Sequence, residues 1–275
     1  MRVAPTVFSA AEEIGQSLAS LIADRMAAKR PGRPFLLGCP SGRSPHSTYR
    51  ALVSEVRRRD LDLRDLIIVM MDEYVEADGG PVDPAAPHSC ARFGREEIVA
   101  PLALAARPGG RIADDHFWVP DPRRPDRYDK QIAKLGGIDL FILASGASDG
   151  HIAFNKPGTA VGTRTHVVEL AESTRRDNLG TFPTFGQDLD RVPRRGVTVG
   201  VGTIRDLSQE VVMVVHGAHK MNAVRRLCAA DRYEPDWPAT ILAECARPKL
   251  FVDQSALDDS VRHHDDTSSA TTRTI

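Results

Sequence analysis

Six short runs of Val, Ile, Leu, Met and Phe, apolar at nearly every position, constrain the fold of this chain more than any other feature. They are "PFLLGC" (34–39), "LIIVMM" (66–71), "IDLFILA" (138–144), "GVTVGV" (196–201), "EVVMVVHG" (210–217) and "PKLFVD" (248–253). A strand with one wet face alternates polar and apolar residues, whereas a strand that is apolar throughout is covered on both faces. Between the runs lie segments with helical spacing, at 9–29, 45–58, 92–104, 124–135, 173–179, 218–230 and 237–244. This alternation predicts an α/β fold, a doubly wound and mostly parallel sheet with helices on both faces. Ligands of such folds gather beyond the carboxyl ends of the strands, so the residues after each run are the candidates for function.

The rest of the composition mainly excludes. A chain of 275 residues can bury a core without a disulfide or metal staple, and residues 1–256 are expected to form one domain. The polar stretch 257–275 reads as a disordered tail, in which His263, His264, Asp265 and Asp266 look solvated rather than metal-binding. Lys plus Arg (36) nearly cancels Asp plus Glu (37), so no global field draws nucleic acid or anionic lipid. A negatively charged ligand would have to be held by a local pocket. Cys39, Cys90, Cys228 and Cys245 are too scattered for a zinc site or a disulfide framework, and no metal is expected. The N-terminal segment carries Glu12, Glu13 and Asp24 among its apolar positions, unlike a signal peptide. A soluble cytoplasmic protein, with no membrane partner, is expected.

Three strand exits carry groups capable of chemistry. "GCPSGRSPHSTYRAL" (38–52) offers a tight turn at Ser41, Gly42, Arg43 and Ser44 before a helix start at Pro45. Amide hydrogens there, at the positive end of a helix, suit an anion such as phosphate, although a plain strand–turn–helix link has the same appearance. "MDEYV" (71–75) places two carboxylates at the end of a buried strand, where each is costly unless paired or used. Asp72 is a candidate general base for moving a proton between neighbouring carbons, or a capping residue at the strand exit. "SDGHIAFNKPGT" (148–159) sets Asp149 and His151 about a glycine that lets the loop turn. An aspartate accepting from one ring nitrogen would fix the tautomer and raise basicity at the other. Two cations complete the set, Arg175 (or Arg176) near a helix start and Lys220 in the first turn after the fifth run. A lysine opposes the helix dipole there, and an anionic ligand would explain it.

"LGCPSGRSPHSTYRAL", "VMMDEYV", "SDGHIAFNKPGT", "STRRDN", "VTVGVGTIRD" and "HGAHK" resemble, in order, segments of the glucosamine-6-phosphate deaminase family, over roughly residues 30–253. The 6-phosphogluconolactonases are more distant relatives, and ribose-phosphate isomerases lie further out. The resemblance implies a doubly wound α/β enzyme whose reaction needs no cofactor. An amino-sugar phosphate would be opened, isomerised by C1/C2 proton transfer and stripped of ammonia to leave a ketose phosphate. Asp72 would be the carbon base, His151 would assist ring opening and Asp149 would orient it. Ser41, Gly42, Arg43, Ser44, Arg175 and Lys220 would hold the phosphate. Members of the family are often homo-oligomers.

The sequence departs from that pattern in four places. Lys156 stands where the family completes its ring-opening set with Glu, and it enters the candidate catalytic residues for that reason. The approach to Asp149 reads Ala144-Ser145-Gly146-Ala147-Ser148, less glycine-rich than usual. Ser89-Cys90 replaces a tyrosine-containing continuation at the end of the Pro/Gly-rich loop 76–90, itself long enough to be a lid or an interaction loop. His166 and Val168 occupy positions where regulated bacterial members carry basic residues. Lys156 admits three explanations: a solvent-facing lysine on a deaminase, a changed sugar phosphate isomerised without deamination, or a binder without turnover. A 6-phosphogluconolactonase-like hydrolase is a separate alternative for the chain as a whole.

Overall fold

The computed structural model describes residues 2–29 and 32–257. The tail expected at 257–275, with its two histidines, lies outside the described residues except for Leu257. Among the described residues ten strands follow in chain order. They are β1 (Pro5–Phe8), β2 (Phe35–Cys39), β3 (Leu66–Met70), β4 (Asp72–Val75) and β5 (Phe117–Trp118), then β6 (Leu140–Ala144), β7 (His166–Glu169), β8 (Arg195–Thr198), β9 (Val211–Val215) and β10 (Pro248–Asp253). The helices are α1 (Ala11–Ala27), α2 (His46–Arg59), α3 (Cys90–Phe93), α4 (Ala100–Ala105), α5 (Pro125–Lys134), α6 (Glu172–Thr181), α7 (Val201–Leu207) and α8 (Met221–Ala229).

Seven strands form a central sheet in the order β1-β10-β9-β6-β2-β3-β5, and every pairing within it is parallel. Its doubly covered character follows from period-two alternation. Phe141 and Leu143 of β6 pack with Tyr128 and Ile132 of α5, Ile204 of α7 and Val224 of α8. Leu140 and Ile142 of the same strand pack on the opposite face with Ile14 and Leu18 of α1 and Leu52 and Val56 of α2. Gly38 of β2 leaves room for the side chain of its partner on the neighbouring strand β6, since a Cβ there would stand 2.1 Å from the Phe141 ring. The apolar runs and the helices on both faces were thus legible from patterning.

One run went elsewhere. "GVTVGV" is not a strand of the parallel sheet. Its first half is in β8, the middle of a three-stranded antiparallel sheet ordered β4-β8-β7, and its last residue begins α7. Strand and helix abut there without a polar boundary, which is why the run read as one strand. "DEYV" (72–75) is itself a strand of this second sheet rather than the end of a strand of the first. The chain crosses between sheets at Met71, whose amide donates to the Cys39 carbonyl at 3.2 Å and whose carbonyl accepts from Val199 N at 2.9 Å. Segment 92–104 contains a π-helical turn, Gly94–Val99, and 238–244 is a 3-10 helix.

Loop 76–90 is pinned rather than free. Val82 N donates to the Tyr74 carbonyl at 3.0 Å, and the His88 ring lies 4.9 Å from Phe185 and 5.5 Å from Tyr74. Among the described residues no helix is long and apolar enough to cross a membrane.

Candidate active site

A cavity of about 380 Å³ opens beyond the carboxyl ends of β2, β3, β6 and β9. The Ser41–Ser44 loop lines it after β2, Met71 and Asp72 after β3, Ser145, Gly146 and His151 after β6, and His216, His219 and Lys220 after β9. Its outer wall is Thr174, Asp177 and Asn178 of α6, with Phe182 just beyond.

The two carboxylates of β4 are parted by strand alternation. Asp72 and Tyr74 line the cavity, whereas Glu73 points away from it into a ring of donors. The Glu73 carboxylate accepts from Tyr74 N at 2.8 Å, Cys90 N at 3.0 Å, and Ala91 N and Ser89 Oγ at 2.9 Å each. It thereby ties the end of loop 76–90 and the start of α3 to the strand. Asp72, only 5 % exposed, sits opposite Thr198 in the antiparallel register, and the Thr198 hydroxyl donates to its Oδ1 at 2.5 Å. Burial raises the Asp72 carboxyl to about 7; the Thr198 bond moderates the rise and the neighbouring Glu73 charge adds to it. A carboxylate with that value takes and returns protons at neutral pH.

His151 faces the cavity with Asp149 behind it. Asp149 Oδ1 lies 2.7 Å from His151 Nδ1 and accepts the His151 backbone amide at 3.1 Å. The Ser173 hydroxyl of α6 donates to the other oxygen at 2.6 Å. Burial alone would raise the Asp149 carboxyl, but the His151 ring and the Ser173 and amide donors together hold it well below the usual carboxylate range. Asp149 therefore stays an acceptor and fixes the proton on Nδ1, which leaves Nε2 as the basic nitrogen. Two glycines permit this close turn. Gly146 passes so near that a Cβ would meet His151 Nδ1 at 2.3 Å, and Gly150 has φ +63° with the Trp237 ring 2.3 Å from where a Cβ would stand. Ala239 N holds the Gly150 carbonyl at 2.8 Å. Gly150→Ala is expected to lose roughly 2–4 kcal/mol from left-handed strain and overpacking. A fall in turnover alongside the melting point would check that this turn aims the histidine; an unchanged variant would show that Trp237 yields.

Two cations, Arg43 and Lys220, also line the cavity. The loop after β2 contributes Ser41, Gly42, Arg43 and Ser44 to the lining, with Gly42 at φ +100°. Helix α2 starts one residue later than its Pro had indicated, with Pro45 as N-cap. Lys220 is the N-cap of α8 and donates to the Ser145 carbonyl at 2.6 Å. Burial lowers its ammonium, with Arg43 adding to the effect and Asp177 and Asp149 opposing it.

Two expected residues are not brought into the cavity. Arg175 is on α6, but helical spacing turns Thr174, Asp177 and Asn178 inward as i, i+3 and i+4. The Arg175 guanidinium instead donates to the carbonyls of Leu189 and Val192, and Arg176 pairs with Glu172 on the surface. Lys156 does not line the cavity either. The preceding Asn155 is fully buried, its amide nitrogen donating to Val199 O at 2.8 Å and Ile152 O at 3.0 Å. Lys156 then opens a turn closed by Thr159, whose hydroxyl donates to the Lys156 carbonyl at 2.7 Å. Thr198, Ser173, His216 and His219 were missed: the first two act across sequence separations of 126 and 24 residues, and both histidines lie just before Lys220 in the same segment. Among the described residues no group of three or more His, Cys, Asp or Glu is placed to hold a metal.

Comparison with known proteins gives a consistent picture. The family model described as glucosamine-6-phosphate isomerases/6-phosphogluconolactonase matches residues 9–251. The chain is 32 % identical over 251 residues to a glucosamine-6-phosphate deaminase of Shouchella clausii, covering 89 % of this chain and 92 % of the relative. It is 33 % identical to that of Bacillus velezensis, with 89 % and 95 % covered. A solved structure of a monomeric glucosamine-6-phosphate deaminase superposes with TM-score 0.79 at 27 % identity, over 92 % of this chain and 98 % of that one. A 6-phosphogluconolactonase from Trypanosoma brucei shares the fold, with TM-score 0.66 at 20 % identity and coverage of 93 % and 97 %.

Proposed function

The chain belongs to the glucosamine-6-phosphate isomerase/6-phosphogluconolactonase family, and from that premise we propose that it is a glucosamine-6-phosphate deaminase. The observation that carries this reading is the buried Asp72, raised to about 7 beneath the Thr198 hydroxyl and facing the cavity. Hydrolysis of a lactone needs no base at carbon, whereas aldose–ketose isomerisation does. In this reading the phosphate rests on Arg43, Lys220 and the amides of the 41–44 loop. His151 moves the proton that opens the pyranose ring, and Asp149 sets its tautomer. Asp72 takes the C2 proton and returns it to C1, which leaves a C=N bond at C2. Water adds there, and nitrogen departs as ammonia from a ketose phosphate, a net hydrolysis of a C–N bond. The four free cysteines suit a reducing cytoplasm.

The direct test is ammonia release and ketose phosphate formation from glucosamine 6-phosphate, run beside Lys156→Glu. Because Lys156 lies outside the cavity lining, the native protein is expected to release ammonia, with Lys156→Glu within about threefold of it, the scale of a surface substitution. Ammonia from Lys156→Glu alone would mean that the loop has been retuned for another sugar phosphate. Consumption of 6-phosphogluconolactone without ammonia would favour the lactonase branch.

A further inference from the structure

Two histidines of the cavity lining have no part in the proton transfers described above. His216, directly after β9, lays its ring on the phosphate loop, with Nε2 3.3 Å from the Ser44 carbonyl oxygen. His219 lies over Gly217, which has φ +90°; a Cβ on that glycine would stand 2.9 Å from the His219 ring. Gly217 is held in turn by its amide, which donates to Asp253 Oδ1 at 3.0 Å. Both rings line the same cavity as Arg43 and Lys220.

Imidazole chemistry makes such a contribution conditional. The His216 ring has its N–H occupied by the Ser44 carbonyl. A neutral imidazole offers an anion at most one N–H, whereas a protonated one donates from both nitrogens and carries a charge. We propose that His219, seated beside His216 in the cavity, is a protonation-dependent ligand of the phosphate, so that the site takes up a proton together with its sugar phosphate. The proposal rests on the phosphate seat argued above but not on the deamination step.

The surrounding charges set the sign. His219 faces Lys220 on its own turn, Arg43 from the loop after β2, His216 after β9, and Asp177 from α6. Asp149 and His151 lie further along the cavity, and Asp253 is engaged by Gly217. Burial first, then Lys220, His216 and Arg43, lowers the His219 imidazole in the empty site, with Asp177 opposing. A bound dianion among those cations reverses the balance and raises it. A group raised in the complex contributes affinity that is complete below its free-state value and lost as pH rises through its bound-state value. Binding therefore tightens as pH falls.

Inorganic sulfate is the suitable probe, because it keeps its double charge across this range and its own titration does not enter. Calorimetric titration at pH 6, 7 and 8, in buffers of differing ionisation heat, reads both affinity and protons taken up. Sulfate affinity is expected to fall by about tenfold or more from pH 6 to pH 8, with net proton uptake. In His219→Gln both effects should flatten, and His219→Lys should restore affinity at pH 8. Equal pH slopes in the native protein and His219→Gln would overturn the proposal, as would absence of sulfate binding to the native protein at pH 6. Lack of ammonia from glucosamine 6-phosphate would instead defeat the deaminase reading and leave the sulfate result standing.

Discussion

Asp72→Asn is expected to abolish turnover, with kcat falling by about 10³-fold or more, while substrate still protects the protein against heat. The substitution keeps the shape and leaves an oxygen for the Thr198 hydroxyl, but it removes the basic carboxylate. The native pH profile should show an acid limb near 7, because Asp72 works only when ionised and burial holds it at about 7. The same burial gives the variant a second signature. A carboxyl raised in the folded state destabilises the fold as pH climbs from its unfolded value, with the full cost present above its folded value. Asp72→Asn should therefore be more stable than the native protein at pH 8, by on the order of a few kcal/mol, and no more stable near pH 3. A variant that is inactive and more stable is the mark of a group kept buried for chemistry. Full activity in Asp72→Asn would end the proton-transfer reading.

The adjacent carboxylate should behave in the opposite way. Glu73→Ala is expected to cost on the order of 3 kcal/mol or more, a melting-point loss of roughly 6–12 °C, because four donors lose a common acceptor inside the protein. Glu73 is 1 % exposed and faces Tyr74 N, Cys90 N, Ala91 N and Ser89 Oγ rather than the cavity. Its loss should release loop 76–90, which limited proteolysis would detect before global unfolding. Glu73→Gln, which can accept at one end only, should fall between the two. A Glu73→Ala protein with native stability and a protected loop would show that water replaces the carboxylate at no cost.

These neighbours show how far reasoning from residues reached. The chemical cost of two carboxylates after "LIIVM" was visible, but not which would be used and which paired. That depended on Asp72 opening a new strand, whose alternation sends the two side chains to opposite sides. The parallel core was legible because strands covered on both faces must be apolar throughout. Edge strands carry no such mark: β5 is Phe117–Trp118 alone, and "HVVE" of β7 is half wet. At the site, the 41–44 loop, Asp72, the Asp149–His151 pair and Lys220 could be picked out because each directly follows an apolar run. Arg175 carries a charge near a helix start and lies in the resembling segment "STRRDN", but the phase of α6 turns it away. Thr198 could not be found, since its meaning lies in a register pairing with a strand 126 residues distant.

The crossing at Met71 divides the cavity into a fixed half and an exchangeable half. The 41–44 loop and the Asp149–His151 turn hang on strand ends of the central sheet, whose residues are locked by packing on both faces, and Asp72 follows directly. The opposite wall, Thr174 to Phe182, belongs to the excursion between β7 and β8. The side chains of its cavity face can change without disturbing the interior layers, so long as Ser173 keeps its bond to Asp149. A lineage built on this plan could therefore retune the outer wall while inheriting the Asp72 and Asp149–His151 groups intact.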